Sequence, residues 1–456
     1  MTINYKWVGL SVLGAMGSWL WLTTTSLDSA QALTGALTVL IAMLWVTEAM
    51  PIALTALVPF VAFPMAGVMT YQNAASALGS HVILLLMGAF MLSKSLEKSG
   101  VHQRLAVYML NLTGASSARR LVLGFMLTSA ILSMWISNTA TALMLLPIAM
   151  AIVNAMQSDR LAVALLLGIA YAASLGGIGT PIGTPPNIIF MNVYTQVTGQ
   201  EISFLNWMST GIPIVGVGIP LMALWLTRSV GAMPDVRLPK AGEWSSAERR
   251  VLIAFCVVAM AWIFRPYWTT WLNMPNVSDS TIAIAGVLLM CLIPDGNKDK
   301  PGQILDWDTA TQIPWGLLLV YAGGICLAQA FVASGLSDRL GDAFSGLATL
   351  PLLGVILLLC LSVSFITEVT SNTATATLLM PILASAAVAM EVDPLVLMMP
   401  AAMSASCAFM MPVATPTNTI VYSSGKLSVP VMAREGAILN VLLAFVITAG
   451  VALTRF

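Results

Sequence analysis

Apolar runs of roughly 20 residues, the length a helix needs to cross a bilayer, alternate along this chain with short polar joints. The pattern predicts helices at about 7–27, 31–47, 51–68 and 82–98, the last with an amphipathic extension to about 113. An apolar pair follows, 121–136 and 140–157, then a helix over 161–198 that Gly176, Gly177, Gly179, Pro181, Gly183, Pro185 and Pro186 must break, and another over 205–227. The connection 228–250 is the most polar and carries Arg228, Arg237, Lys240, Arg249 and Arg250. Beyond it the plan recurs: 251–269, 280–294, 311–333 with an extension to 345, the pair 350–370 and 374–390, a broken helix over 395–424, and 430–453.

Polar residues inside apolar sequence mark where the two halves correspond. Ser137-Asn138-Thr139-Ala140-Thr141-Ala142, running on to Pro147, returns as Ser371-Asn372-Thr373-Ala374-Thr375-Ala376, running on to Pro381. Gly183-Thr184-Pro185-Pro186-Asn187 is matched by Ala414-Thr415-Pro416-Thr417-Asn418, and the Ser99-Gly100 and Arg104 group by Ser334-Gly335 and Arg339. The division is therefore an N-terminal helix (1–30), a first repeat (31–227) with a hairpin at 121–157 and a broken helix at 161–198, a linker (228–250), and a second repeat (251–456) with a hairpin at 350–390 and a broken helix at 395–424. If each apolar pair enters and leaves by one face, each repeat holds five full spans. An odd number inverts the second copy relative to the first. The fold class is an all-α polytopic membrane protein of inverted repeats, with about 11 transmembrane helices plus two re-entrant hairpins.

Charge orients it. With the N-terminus in the cytoplasm, that side receives Lys6, Lys94, Lys98, Arg104, Arg119, Arg120, Arg160, Lys426, Arg434, the linker arginines and lysine, and Lys298 and Lys300. The outside, with the C-terminus, receives Arg265, Arg339 and Arg455 alone, a marked positive-inside bias. Threading either pair through as two crossings leaves this parity intact, so charge does not prove re-entrance. The expected location is the inner cell membrane, multi-pass.

Composition agrees and excludes alternatives. Of 456 residues, 58% are hydrophobic and 8% charged, against roughly 25% charged in a soluble domain, and mean hydropathy is +0.91. Zero net charge implies no nucleic-acid partner. The five cysteines are scattered with no CxxC and read as packing residues, and no HExxH or nucleophile–base pair suggests an enzyme. The first run could pass for a signal peptide behind Lys6, but it lacks a small-residue exit and more spans follow it.

Backbone deep in a bilayer stays unwound only where it lines a polar site. The hydroxyls, carboxamides and carbonyls of two tips and two breaks are oxygen ligands for a hard cation, and following half-helices offer N–H groups to an anion. No Lys or Arg lies in the sequence near these points, so the counter-charge of a bound anion must come from helix termini and co-bound cations. A single Ser-Asn-Thr would more simply glue helices together; its duplication beside paired Thr-Pro breaks argues for a site. Glu368 either orients the second hairpin or carries a proton, the first repeat having Met134 at its position. Glu48 reads as a helix cap or salt-bridge partner, Lys94, Glu97 and Lys98 as an ion-pair cluster, and His81 and His102 carry no assigned chemistry.

The duplicated Ser-Asn-Thr tips, the two Thr-Pro breaks, Trp45-Val46-Thr47-Glu48-Ala49-Met50-Pro51 and Thr367-Glu368-Val369-Thr370 resemble the divalent anion/sodium symporter family over nearly the whole chain. That resemblance implies sodium-coupled uptake of a divalent anion, foremost a C4-dicarboxylate such as succinate, by a homodimer whose transport domain moves as an elevator. Sodium-independent dicarboxylate exchange, or carriage of sulfate or another anion, is the alternative. It further implies one sodium site from Ser133, Ser137, Asn138 and the carbonyl of Gly183, and a second from Thr367, Thr370, Asn372 and the carbonyl of Ala414. Substrate carboxylates would meet Asn138, Thr139, Asn372, Thr373, Thr415 and Pro416.

Overall fold

A computed structural model describes residues 3–114, 116–231, 242–297, 301–339 and 350–455. The expected extension to 345, from residue 340 onward, and 232–241 of the 228–250 linker therefore lie outside the described residues. Within them every regular element is helical, apart from an isolated bridge between Pro294 and Gln303. Eight helices are long and apolar enough to cross a membrane, or nine if the bent pair Ser246–Ile263 and Arg265–Trp271 is one span. That pair bends by 78°. The expected straight helix 251–269 stops short because Pro266 cannot donate to the preceding turn.

Local sequence sets the helix ends. Ser117, Ser158 and Ser203 accept hydrogen bonds from backbone N–H groups in the first turns of Ala118–Ser133, Asp159–Gly177 and Phe204–Leu226. Capping boxes open Ser29–Val46 (Asp28 with Gln31) and Ser246–Ile263 (Ser245 with Glu248). Pro185, Pro394 and Pro416 stand at the starts of Pro185–Thr198, Pro394–Ala405 and Pro416–Tyr422, where the missing N–H has no helical partner to lose.

Helices pack as two groups. Ser29–Val46, Ile52–Thr55, Val58–Met65, Tyr71–Ser76, His81–Ser99, Ser246–Ile263, Asp279–Leu292, Trp307–Ala310 and Trp315–Ala333 contact chiefly one another, with Tyr5–Leu22 laid against Ser29–Val46. The second group comprises Ala118–Ser133, Asn138–Met156, Asp159–Gly177, Pro185–Thr198, Phe204–Leu226, Leu352–Ile366, Asn372–Ala389, Pro394–Ala405, Pro416–Tyr422 and Val429–Arg455. Helix Val101–Thr113 leaves the first group and packs on Ala118–Ser133 of the second. Lys98 bonds Asp306 at 2.5 Å inside the first group. Lys98 and the Thr309 N–H hold the Asp306 carboxyl down at about 2. Its contribution is thus present above the ordinary carboxylate range and is lost only as pH falls toward 2.

Asp159–Gly177 is the most enclosed span. Its Tyr171 meets Phe409 of the second broken helix at 4.8 Å between ring centroids, so the two broken helices cross back to back in the core of their group. Ser174 and Thr417, 3.4 Å apart, and Thr184 and Ser406, 3.3 Å apart, join them by hydroxyl contacts.

Candidate functional site

Each apolar pair turns through a short non-helical tip, Met134–Ser137 or Thr367–Ser371, before its second helix starts at Asn138 or Asn372. The tips are built alike. Ser133 Oγ donates to Asn138 Oδ1 and, at 2.7 Å, to the carbonyl of Ala173. Thr367 Oγ1 donates to Asn372 Oδ1 at 2.7 Å and to the carbonyl of Ala405 at 3.1 Å. In both, a hydroxyl from the first limb fixes an asparagine oxygen of the second and ties the tip to a broken helix. Ser137 caps its limb by accepting from the Ala140 N–H, whereas Ser371 makes no such bond. Thr370 meets Thr375 at 2.6 Å instead.

Unwinding a helix frees backbone groups that the protein must satisfy. Asn187 Nδ2 donates to the carbonyls of Gly177 and Thr180, at 3.0 and 2.8 Å. Asn418 Nδ2 does the same for Ala408 and Met411, at 3.0 Å each. The Trp207 indole takes the Ile178 carbonyl at 2.8 Å, and Thr419 takes that of Pro412 at 2.7 Å. By contrast, no hydrogen bond among the described residues is donated to the carbonyls of Gly183 or Ala414. These two remain available to a ligand.

Gly177 shows how closely the first oxygen cluster is drawn together. A Cβ there would stand 3.0 Å from the Gly183 oxygen and 3.3 Å from Asn138 Oδ1, so both oxygens face the space left by the missing side chain. Gly183 is held just as tightly, since a Cβ on it would collide with the Gly177 backbone. These neutral oxygens suit a hard monovalent cation. No group of three His, Cys, Asp or Glu side chains that could hold a metal occurs among the described residues.

Glu368 is 3% exposed. Its Oε1 accepts from the N–H groups of Phe409 and Met410 at 2.6 and 2.9 Å and from Asn440 Nδ2 at 2.7 Å; Oε2 accepts from the Met411 N–H at 3.0 Å. Of the two sequence readings, the geometry favours orientation: the carboxylate clamps the second tip onto the second break. At the first tip Thr180 Oγ1 donates to the Met134 carbonyl at 2.6 Å, a neutral counterpart.

One cavity of about 1360 Å³ takes lining from both tips and both breaks. Ser137, Asn138, Thr139, Gly183, Thr370, Asn372, Thr373, Ala414, Thr415 and Pro416 all line it. Ser133 and Thr367 lie fully buried behind their asparagines, within the hydrogen bonds described above. The volume exceeds the ~300–1,000 Å³ of an ordinary ligand pocket, so this is a vestibule, with the tips forming part of its wall. Its other wall comes from the first helix group and includes Glu48, Lys94, Glu97 and Gln312. Sequence distance had kept basic residues away from the tips; folding brings Lys94 to the wall, neutralised by Glu97 at 2.6 Å. Lys98, grouped with that pair in the sequence, turns instead to Asp306. Glu48 forms none of the described ion pairs or side-chain hydrogen bonds; it is exposed on the wall with φ at 47°. Gly177 and Thr180 stayed outside the sequence-derived site because their roles depend on the fold; the glycine-rich break was their only signal.

Comparison with known proteins identifies the family. The family model described as CitMHS, citrate transporter, matches residues 42–399. The sodium-dependent dicarboxylate transporter SdcS of Staphylococcus saprophyticus is 38% identical over 436 residues, covering 90% of this chain and 84% of its own. SdcS of Staphylococcus aureus strain NCTC 8325 is 39% identical with the same coverage. Among solved structures, the Alcanivorax borkumensis YdaH transporter superposes with a TM-score of 0.59 at 13% identity, over 84% of this chain and 87% of its own. Neisseria gonorrhoeae MtrF, of a class of antimetabolite efflux pumps, gives 0.59 at 12% identity over 94% and 95%. At those identities the likeness is one of fold. With the family model spanning most of the chain and relatives alike over nine-tenths of it, this protein belongs to the citrate transporter family of membrane carriers, among the sodium-dependent dicarboxylate transporters and their kin.

Proposed function

We propose that the protein couples sodium entry to uptake of a C4-dicarboxylate across the inner membrane. The observation that carries this reading is the convergence of both Ser-Asn-Thr tips and both Thr-Pro breaks on a single vestibule that lacks an unpaired basic side chain. A dianion resting there needs positive charge, and two sodium ions supply it. The first ion takes Ser133, Ser137, Asn138 and the Gly183 carbonyl; the second takes Thr367, Thr370, Asn372 and the Ala414 carbonyl. With both bound, the carboxylates face Asn138, Thr139, Asn372, Thr373, Thr415 and Pro416.

Coupling follows from electrostatics. Either ligand alone would put uncompensated charge in a poorly solvated site, at a cost of several kcal/mol, while dianion and two cations together are neutral. The same reading makes 31–227 and 251–456 inverted repeats, puts the N-terminus in the cytoplasm and the C-terminus outside, and lets the second helix group move against the first in an elevator stroke within a homodimer. Supporting it are the paired bonding schemes of the two tips and the two Asn-braced breaks.

The family model's citrate makes a tricarboxylate the principal competitor. A panel of labelled succinate, citrate and sulfate in proteoliposomes, with and without sodium, tests the reading. Sodium-stimulated succinate uptake that excess succinate suppresses and citrate does not is the expected result. Preferred citrate or sulfate uptake would replace the substrate assignment.

A further inference from the structure

The two helix groups are apart at one end and shut at the other. Around Glu48, Lys94 and Gln312 they enclose the wide vestibule. Thirteen residues up the same helix from Lys94, or about 20 Å at 1.5 Å per residue, is His81, where the seam narrows to a cavity of about 20 Å³. That is room for about one water molecule.

This shut end carries a small polar cluster across the seam. Glu201, in the turn between Pro185–Thr198 and Phe204–Leu226 of the second group, lies 3.7 Å from His81 Nε2 and 3.7 Å from Arg265 Nη1 of the first. Arg265 is fixed in its own group, its Nε 2.7 Å from Asp279 Oδ1, both side chains largely buried. Alongside, Asn192 Nδ2 of the second group donates to Ser80 Oγ of the first at 3.1 Å. Beneath the cluster Phe204 stacks on Trp262, centroids 5.1 Å apart and planes 4° apart. Glu201 itself is nearly half exposed, so it can leave its partners for water at little desolvation cost.

We infer that Glu201 is the latch of the closed face: it holds the second helix group against His81 and Arg265 while the vestibule is open on the other side, and it releases when access alternates. The inference rests on the carrier reading above, because only a protein whose second group moves against the first along this seam needs a releasable contact there. Long, half-exposed pairs are weak, which suits a device that biases an equilibrium without locking it.

The test introduces Ser80→Cys with Asn192→Cys, bridged by a short thiol-reactive linker that reductant cleaves, with each single-cysteine variant as control. Bridging is expected to stop transport in proteoliposomes at least tenfold and reductant to restore it. Adding Glu201→Gln is expected to slow bridging two- to fivefold, since the seam then spends less time shut. Three results would overturn the latch: a bridged protein that transports at its reduced rate, a pair that does not bridge, or bridging unaffected by Glu201→Gln. Failure of the wild-type protein to accumulate dicarboxylate on sodium would instead defeat the carrier reading, and the bridging rates would still report on the seam.

Discussion

Asn138 and Asn372 each present an amide oxygen held by a hydroxyl five residues upstream, and each stands at the first position of a half-helix. Sequence could single them out because a carboxamide inside an apolar run is costly unless it has work to do. Asn138→Ala and Asn372→Ala should each lower sodium-driven uptake at least tenfold, with protein still reaching the membrane, since charge-assisted contacts of ~1.5–3 kcal/mol are removed. Uptake assays normalised to membrane-resident protein check this. Gly177 was not legible in the same way: its value is the absence of a Cβ beside two oxygens, that of Gly183 in the break and Oδ1 of Asn138 at the tip. Gly177→Ala should raise the sodium concentration for half-maximal uptake several-fold, measured as a sodium titration at saturating substrate. Glu368 was visible as a buried carboxylate but not as a clamp, because its four donors come from residues 409–411 and 440. Glu368→Gln turns an amide toward backbone N–H groups and should cost transport tenfold or more, whereas Glu368→Asp should retain part of it. A proton carrier would show the opposite signature, with Gln preserving sodium-driven exchange of substrate across the membrane.

At the scale of elements, the broken helices were readable because proline and clustered glycine forbid a continuous hydrogen-bond ladder. The bend at Phe264 was missed even though Arg265-Pro266 signals it, since aromatic residues resume beyond it at Tyr267, Trp268 and Trp271. The second helices of the two apolar pairs, Asn138–Met156 and Asn372–Ala389, expected from sequence to be re-entrant, both pass as candidate spans by length and composition. Each begins at a tip lining the vestibule. The two tips are fastened to their breaks by different means, Thr180 to the Met134 carbonyl in one and Glu368 to three N–H groups in the other. Thr180→Val should therefore be the milder lesion, removing one neutral bond worth about 1 kcal/mol. A thermal-shift measurement in detergent should show a drop of a few degrees and uptake a loss of a few-fold, both smaller than for Glu368→Gln.

At the scale of the molecule, sequence foretold an all-helical, multi-pass membrane protein, but not the division into two packing groups. Each group draws helices from both the N-terminal and the C-terminal parts of the chain, as when Asp279–Leu292 packs on His81–Ser99. An apolar helix face looks the same whether lipid or another helix covers it, so the partners of each span emerge only on folding. That interleaving places a vestibule between the groups with oxygen-rich tips in its wall, and sodium coupling depends on the charge balance there. The most direct measurement is accumulation of labelled succinate by proteoliposomes under an inward sodium gradient, against liposomes in which choline replaces sodium. The expected result is concentrative uptake that falls at least tenfold in choline. Uptake that persists in choline and instead requires dicarboxylate inside the liposome would contradict it.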